Sequence, residues 1–235
     1  MTHEAIFLFP PLHPVRILES KDTVSTMPFP NIDDPATFRL GVDHLCKVDR
    51  KLGRLIKKHG LFEFTCEADP FESLVEAVIS QQLNGSAAES IFTKLKASLD
   101  GELITAQSLI ELPLSKFRRA GVSPQKIRYL RDLSAKVVNG HLRLGDLEDL
   151  SDDEVVRTLD EVKGIGPWTA HMFLLFTLGR SDVLPVDDLG IQVSMRKVYA
   201  LRKRPSQERI RELAKNWHPY CSIASLYLWR TKDMN

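Results

Sequence analysis

Apolar residues recur along this chain at the three- and four-residue spacing of helices buried on one side, and most segments with that pattern are closed by a capping residue or a glycine. From Phe38 to His59 the positions Leu40, Leu45, Val48, Leu52, Leu55 and Ile56 predict one helix that stops at Gly60. Asp69-Pro70-Phe71-Glu72 supplies a cap, a first-turn proline and an acid, and Phe71, Leu74, Val75 and Val78 follow as one buried stripe. Asn84 and Gly85 break that helix, and Ala87, Ala88, Ile91, Phe92 and Leu95 begin another. Ser123-Pro124 caps a helix that ends at Gly140, and Ser151 with Glu154 forms a capping box ahead of Val155, Val156, Leu159 and Val162. Pro167 starts a segment that Gly179 ends, Pro185-Val186-Asp187-Asp188 starts the next with Asp187 as its expected structural cap, and a last helix lies near Cys221 to Arg230. No stretch sustains the period-two alternation of a half-buried strand, so the pattern predicts an all-α protein. Prolines 10, 11, 14, 28, 30 and 35 make residues 1–36 an extended N-terminal arm, which Phe7, Phe9 and Val15 could lay against a helical domain over 37–235.

The chain has 235 residues, 43% of them hydrophobic and 27% charged, which is ordinary for a globular protein with a core of its own. A net charge of +1 hides an uneven distribution. Between Phe117 and Arg143 seven basic residues (Arg118, Arg119, Lys126, Arg128, Arg131, Lys136 and Arg143) face a single acid, Asp132. Between Arg196 and Lys215 eight bases stand against Glu208 and Glu212. Such runs suit a polyanionic partner, and they suit solvated helix faces equally well. Three cysteines, Cys46, Cys66 and Cys221, lack CxxC spacing, which argues against a disulfide framework, a zinc site or an iron–sulfur cluster and for a reducing compartment. The apolar start Ala5 to Phe9 is too short for a signal core, and no run approaches the ~20 apolar residues of a membrane span. The expected location is therefore the cytoplasm of a bacterium or the nucleus of a eukaryote, with no membrane partner.

The chemistry concentrates in Leu159-Asp-Glu-Val-Lys-Gly-Ile-Gly-Pro-Trp-Thr-Ala170 and in the acid pair Asp187-Asp188. Glycines at 164 and 166 permit positive φ and close backbone approach, so successive N–H groups can point outward, and the helix starting near Pro167 adds its positive end. Lys163, Gly164, Ile165, Gly166 and Thr169 thus form a candidate phosphate cradle between two helices. A Gly-x-Gly alone more often only joins two helices; the apolar residues around this one favour a helix-hairpin-helix.

Val162-Lys-Gly-Ile-Gly-Pro-Trp-Thr-Ala170, Leu184-Pro-Val-Asp-Asp-Leu189, Trp217-His-Pro-Tyr220 and Tyr227-Leu-Trp-Arg230, with Ser80-Gln-Gln-Leu-Asn84 upstream, resemble the 3-methyladenine DNA glycosylase II branch of the helix-hairpin-helix glycosylases. The resemblance spans about residues 40 to 230. It implies a two-lobed helical fold with an active-site cleft between the lobes, and excision of alkylated purines such as 3-methyladenine and 7-methylguanine from duplex DNA by base flipping. The matching position makes Asp188 the catalytic carboxylate, stabilising an oxocarbenium-like transition state. In related bifunctional members the position of Trp168 holds an amine nucleophile; tryptophan cannot form a Schiff base, so the resemblance implies a monofunctional enzyme that leaves an abasic site. Trp168, Met172 and Trp229 are the candidate base-pocket residues, although a tryptophan at a helix start is also ordinary packing. Gln82 and Leu83 are the candidate plug and wedge, with Asn84 at the minor groove; a helix that merely ends in polar residues is the bland alternative.

The chain departs from the family pattern at three places. Cys221 replaces an arginine common in Pro-Tyr-Arg-Ser, Met172 stands where some relatives have an aromatic residue, and Gln192-Val-Ser194 lacks basic residues often found there. His171 and His218 read as packing or surface residues, and Trp217 and Tyr220 as structural. No cofactor is expected; a monovalent cation held by the backbone near Lys163, Gly164 or Gly166 is a minor expectation. The expected partner is double-stranded DNA with alkylated or abasic lesions, bound by a monomer. A non-catalytic module that binds abasic or distorted DNA remains the alternative, and a bifunctional glycosylase/lyase is disfavoured by Trp168.

Overall fold

A computed structural model describes residues 29–67, 69–83, 85–99, 101 and 103–233. Among them every regular element is helical, and the one extended pairing is an isolated antiparallel bridge between Asn31 and Arg180. The chain divides into two compact units, one formed by residues 67–173 and the other by residues 29–66 and 174–233. Most of the proposed N-terminal arm lies outside the described residues, as do Asn84 and the arm's apolar positions before residue 29.

The first unit contains α3 (Pro70–Ser80), α4 (Gly85–Ala97), α5 (Ala106–Glu111), α6 (Leu114–Ala120), α7 (Pro124–Val138), α8 (Asp152–Asp160) and the start of α9 (Pro167–Phe176), with a 3-10 turn at Leu144–Asp149. The local signals act as expected at several starts: Asp69 Oδ1 accepts from Glu72 N at 2.8 Å, Ser123 Oγ from Lys126 N at 3.3 Å, and Glu154 from both Ser151 N and Oγ at 2.9 and 2.6 Å. α3 packs on α4 and α7, α5 on α7, and α6 on α4 and α7. Leu74, Val75, Val78, Leu95, Leu109, Phe117, Leu130 and Leu133 are fully buried between them. Each such leucine contributes about 1.5–3 kcal/mol by leaving water. Two residues of the first basic run serve this packing: Lys126 Nζ donates to the Ile79 carbonyl at 2.6 Å, and Arg131 donates to the carbonyls of Ile110 and Leu112 at the end of α5. Burial lowers the pKa of the Lys126 amine. By contrast, all eight bases between Arg196 and Lys215 are exposed.

The second unit is built around α12 (Cys221–Trp229), whose nine residues are all buried. A helix apolar on every side belongs at the centre of its unit. α1 (Pro35–Val48), α2 (Arg50–His59) and α10 (Leu189–Val198) pack against it, and α11 (Gln207–Ala214) completes the unit. Gly41 permits the close approach of α1, since a Cβ there would lie 2.3 Å from Ile223 Cδ1 and 2.8 Å from Tyr220 Cδ1. The polar groups of α12 are satisfied: Ser222 Oγ donates to Arg180 O at 2.5 Å and accepts from Val183 N at 2.9 Å, while Tyr227 donates to Gly60 O at 2.9 Å. The described end of the N-terminal segment also lies on this unit, with Ile32 N donating to Gly179 O at 2.8 Å and the Ile32 side chain buried.

The single helix expected over 38–59 is two helices, and the reason is Asp49. Its backbone is extended (φ −135°, ψ 103°) and its carboxylate accepts from Lys51 N and Leu52 N at 2.9 Å, capping α2. The same carboxylate accepts from Trp217 Nε1 at 3.0 Å and from the Tyr199 hydroxyl. Aspartate competes with helical backbone in just this way, and the apolar periodicity simply continues across the break. Burial raises the pKa of Asp49, but the hydrogen bonds from Leu52, Tyr199, Trp217 and Lys51 outweigh it and hold the group below its ordinary value. A carboxylate with a depressed folded pKa stabilises the fold above its unfolded pKa of about 3.9 and loses that contribution as pH falls through the folded value. Asp49→Asn keeps an acceptor and removes the charge, so the Tm gap between wild type and variant is expected to narrow as pH drops below about 4; a gap independent of pH would contradict it.

Candidate active site and nucleic-acid interface

In the first unit, α8 ends at Asp160 and the chain turns through Val162–Gly166 into α9. Ile165 N donates to Val162 O at 3.0 Å, and the Ile165 side chain is buried as the hairpin's anchor. Gly164 has φ +83°, and a Cβ on it would lie 2.1 Å from Tyr129 Cδ2, so both conformation and space demand glycine. Gly166 differs from expectation. It is absent from the left-handed region, and a Cβ there would meet nothing within 4 Å. Only one of the two glycines is imposed by the fold.

Three side chains brace the hairpin from within the same unit. Asp132 accepts from Lys163 N at 3.0 Å and pairs with Lys163 Nζ at 3.5 Å, leaving the lysine side chain largely exposed. Gln81 Nε2 donates to Gly164 O at 2.7 Å and to Thr169 Oγ1 at 3.4 Å. Thr169, expected to face phosphate, is only 3% exposed, so its hydroxyl supports the hairpin from inside. The first helical turn buries a residue two positions after Pro167, a detail of rotation about the axis that the motif does not encode.

Gln81 also begins the candidate wedge. Ser80 O accepts from Leu83 N at 3.2 Å, Gln81 has φ −53° and ψ 127°, and Gln82 has φ +58°. These are the dihedrals of a type II turn whose third position ordinarily belongs to glycine. A glutamine there costs about 1–2 kcal/mol of backbone strain. Gln82 is exposed, with Leu83 half-buried beside it. Gln81 thus ties the 80–83 turn to the hairpin, and its role as a brace carried no signal in the sequence beyond its place next to the helix end.

Trp168 is half-buried at the start of α9, and Met172, one turn later, is buried at 7% exposure.

In the second unit the acid pair takes up an arrangement different from the expected one. Residues 185–188 form a turn closed by Asp188 N donating to Pro185 O at 3.0 Å, and α10 begins only at Leu189. The cap is therefore Asp188, whose Oδ1 accepts from Ile191 N at 2.7 Å. Asp187 is exposed and accepts from Gln207 Nε2 instead. The proline that suggested a helix start sits one turn earlier, in the turn itself. Asp188 is 1% exposed, and the same Oδ1 accepts from Trp229 Nε1 at 2.8 Å. The Trp229 indole, expected as a pocket wall, is buried against the carboxylate and stacks on Phe176 with centroids 5.7 Å apart. Gly190 makes room for the pair, because a Cβ there would lie 2.9 Å from Asp188 Oδ1 and 3.1 Å from Trp229 Cδ1.

The HhH-GPD superfamily base excision DNA repair protein model matches residues 75–219, a stretch that takes in the 80–83 turn, the hairpin and Asp188. The chain belongs to the HhH-GPD superfamily of base excision DNA repair proteins. Within this superfamily it is 33% identical over 196 residues to DNA-3-methyladenine glycosylase 1 of Schizosaccharomyces pombe, covering 81% of this chain and 86% of that protein. It is 30% identical to the alkylbase DNA glycosidase-like protein mag2 of the same organism, covering 82% of this chain and 92% of the relative. Among solved structures, the S. pombe 3-methyladenine DNA glycosylase in complex with abasic DNA superposes with a TM-score of 0.77 at 32% identity, covering 83% of this chain and 97% of that one. The DNA-3-methyladenine glycosidase of Bacillus halodurans superposes with a TM-score of 0.73 at 33% identity, covering 86% and 90%.

The unequal demands of the two hairpin glycines are testable. Gly164→Ala is expected to destabilise the fold by at least about 1 kcal/mol through its left-handed backbone alone, whereas Gly166→Ala should stay within about 0.5 kcal/mol of wild type. Urea unfolding of both variants checks this, and equal losses would contradict it.

Proposed function

We propose that this HhH-GPD protein is a monofunctional N-glycosylase that removes alkylated purines of the 3-methyladenine and 7-methylguanine type from duplex DNA, with Asp188 as its catalytic carboxylate. The observation that carries the reading is the hydrogen bonding of Asp188: one oxygen is fixed by an amide and an indole in a water-poor setting, at the N-terminus of α10 whose dipole favours an anion. Breaking an N-glycosidic bond builds positive charge on the sugar, and a carboxylate held in place lowers that barrier without reorganisation. An N3- or N7-alkylated purine already carries positive charge and departs neutral, so a general acid is not required of this chain. Water completes the hydrolysis at the sugar.

The remaining candidate residues have separate tasks. Backbone N–H groups of Gly164 and Gly166 grip a phosphate, Gln82 and Leu83 fill the stack vacated by a flipped nucleotide, and Trp168 offers a π-face to a cationic base, worth ~0.5–2 kcal/mol. Trp168 has no amine with which to attack the sugar, so the strand should be left intact. A monovalent cation at the hairpin would rest on second lone pairs, since the carbonyls of Val162, Gly164 and Gly166 already accept from Ile165 N, Gln81 and Ala170 N.

The test is incubation with duplexes carrying 3-methyladenine or 7-methylguanine. Free base should appear, the strand should break only on subsequent alkali treatment, and borohydride should trap no protein–DNA adduct. Tight binding of abasic duplex with no base released would replace this reading with a lesion-binding module, and a trapped adduct would replace it with a lyase.

A further inference from the structure

Asp182, His218 and Cys221 converge in the second unit, away from the groups that hold Asp188, and the proposed reaction makes no use of them. His218 Nδ1 lies 2.9 and 2.8 Å from the two Asp182 oxygens and 3.6 Å from Cys221 Sγ. One ligand atom from each residue lies within 4.8 Å of the other two. We propose that these three side chains form a binding site for a zinc-type divalent cation, with water as the fourth ligand.

The donor set and the spacing both point to such an ion. Zn²⁺ takes imidazole nitrogen, thiolate sulfur and carboxylate oxygen in tetrahedral geometry, at about 2.0–2.1, 2.3 and 2.0–2.2 Å. Those bond lengths put nitrogen and sulfur about 3.5 Å apart along a tetrahedral edge. The observed separation of Nδ1 and Sγ is 3.6 Å. The Nδ1–carboxylate pair sits closer than the corresponding edge and needs to open by about 0.5 Å. The thiol is buried, while the His218 and Asp182 side chains are 54% and 34% exposed, so an ion enters from their side. Binding displaces the thiol proton to water and requires the imidazole proton on Nε2. A Cys-Asp-His catalytic relay does not fit, because Nδ1 is the ring nitrogen nearest to both partners.

The site would reinforce a seam already present. Asp182 Oδ1 accepts from Cys221 N at 3.3 Å, and Ser222 N donates to Ser181 O at 3.0 Å, stitching the segment before Asp188 to the start of α12, whose far end carries Trp229. An ion there clamps together the two chain segments that position the carboxylate.

Metal-stripped full-length protein, kept reduced, is titrated with Co²⁺ and followed by thiolate-to-cobalt charge-transfer absorption, with Zn²⁺ as competitor. The expected result is saturation at one equivalent, displacement by Zn²⁺, a Tm that rises with added Zn²⁺, and at least a tenfold loss of Co²⁺ affinity in both Cys221→Ser and His218→Ala. His218 is exposed, so its variant should fold even if the buried serine variant does not. Absence of the charge-transfer band in wild type, or a band and affinity unchanged in His218→Ala, would overturn the assignment.

Discussion

Placing a carboxylate out of water is costly unless hydrogen bonds replace its hydration, and much of the second unit is arranged around meeting that requirement at Asp188. α10 supplies the amide of Ile191, α12 supplies the indole of Trp229, and the glycine at 190 leaves room for both. The central, wholly buried α12 sets where that indole lies. Its other end is sewn to the 180–183 segment through Ser222. Capping and catalysis are compatible duties for one carboxylate, because a cap is a rigid mount and preorganised charge is what the proposed transition state needs.

In the first unit the neighbouring side chains hold the hairpin backbone: Tyr129 under Gly164, Asp132 on the Lys163 amide, Gln81 on the Gly164 carbonyl. Gln81 also leads into the strained turn that lifts Gln82 into solvent. A turn that retains glutamine where glycine would relax the backbone fits a surface shaped for contact more than for stability.

Much of the fold was legible because helix starts and stops are local. Asp69-Pro70, Ser123-Pro124, Ser151 with Glu154, and Gly60 each act within a few residues, so reading them requires no tertiary information. The all-α class and the superfamily followed from such signals and from four ordered motifs. What could not be read depends on contacts distant in sequence. Asp49 breaks a helix whose periodicity runs on, and Trp217 and Tyr199, which share its carboxylate, lie about 150 residues or more away. The move of the cap from Asp187 to Asp188 turned on a one-residue shift of a helix start. The burial of Thr169, the open space at Gly166 and the hydrogen bond from Trp229 to Asp188 are matters of rotation and depth. The departure at Cys221 was visible as a missing arginine, but its meeting with Asp182 and His218 needed the fold.

The central claim is that Asp188 acts through its charge, beyond its service as a cap. Asparagine at 188 retains an oxygen that can accept from Ile191 N and Trp229 Nε1, so it removes the charge and keeps the mount. The decisive measurement is the single-turnover excision rate of Asp188→Asn on 3-methyladenine duplex, read beside its Tm and its affinity for abasic duplex. A rate lowered by at least about 10²-fold, with Tm and affinity near wild type, is the predicted result; an unchanged rate would contradict the account.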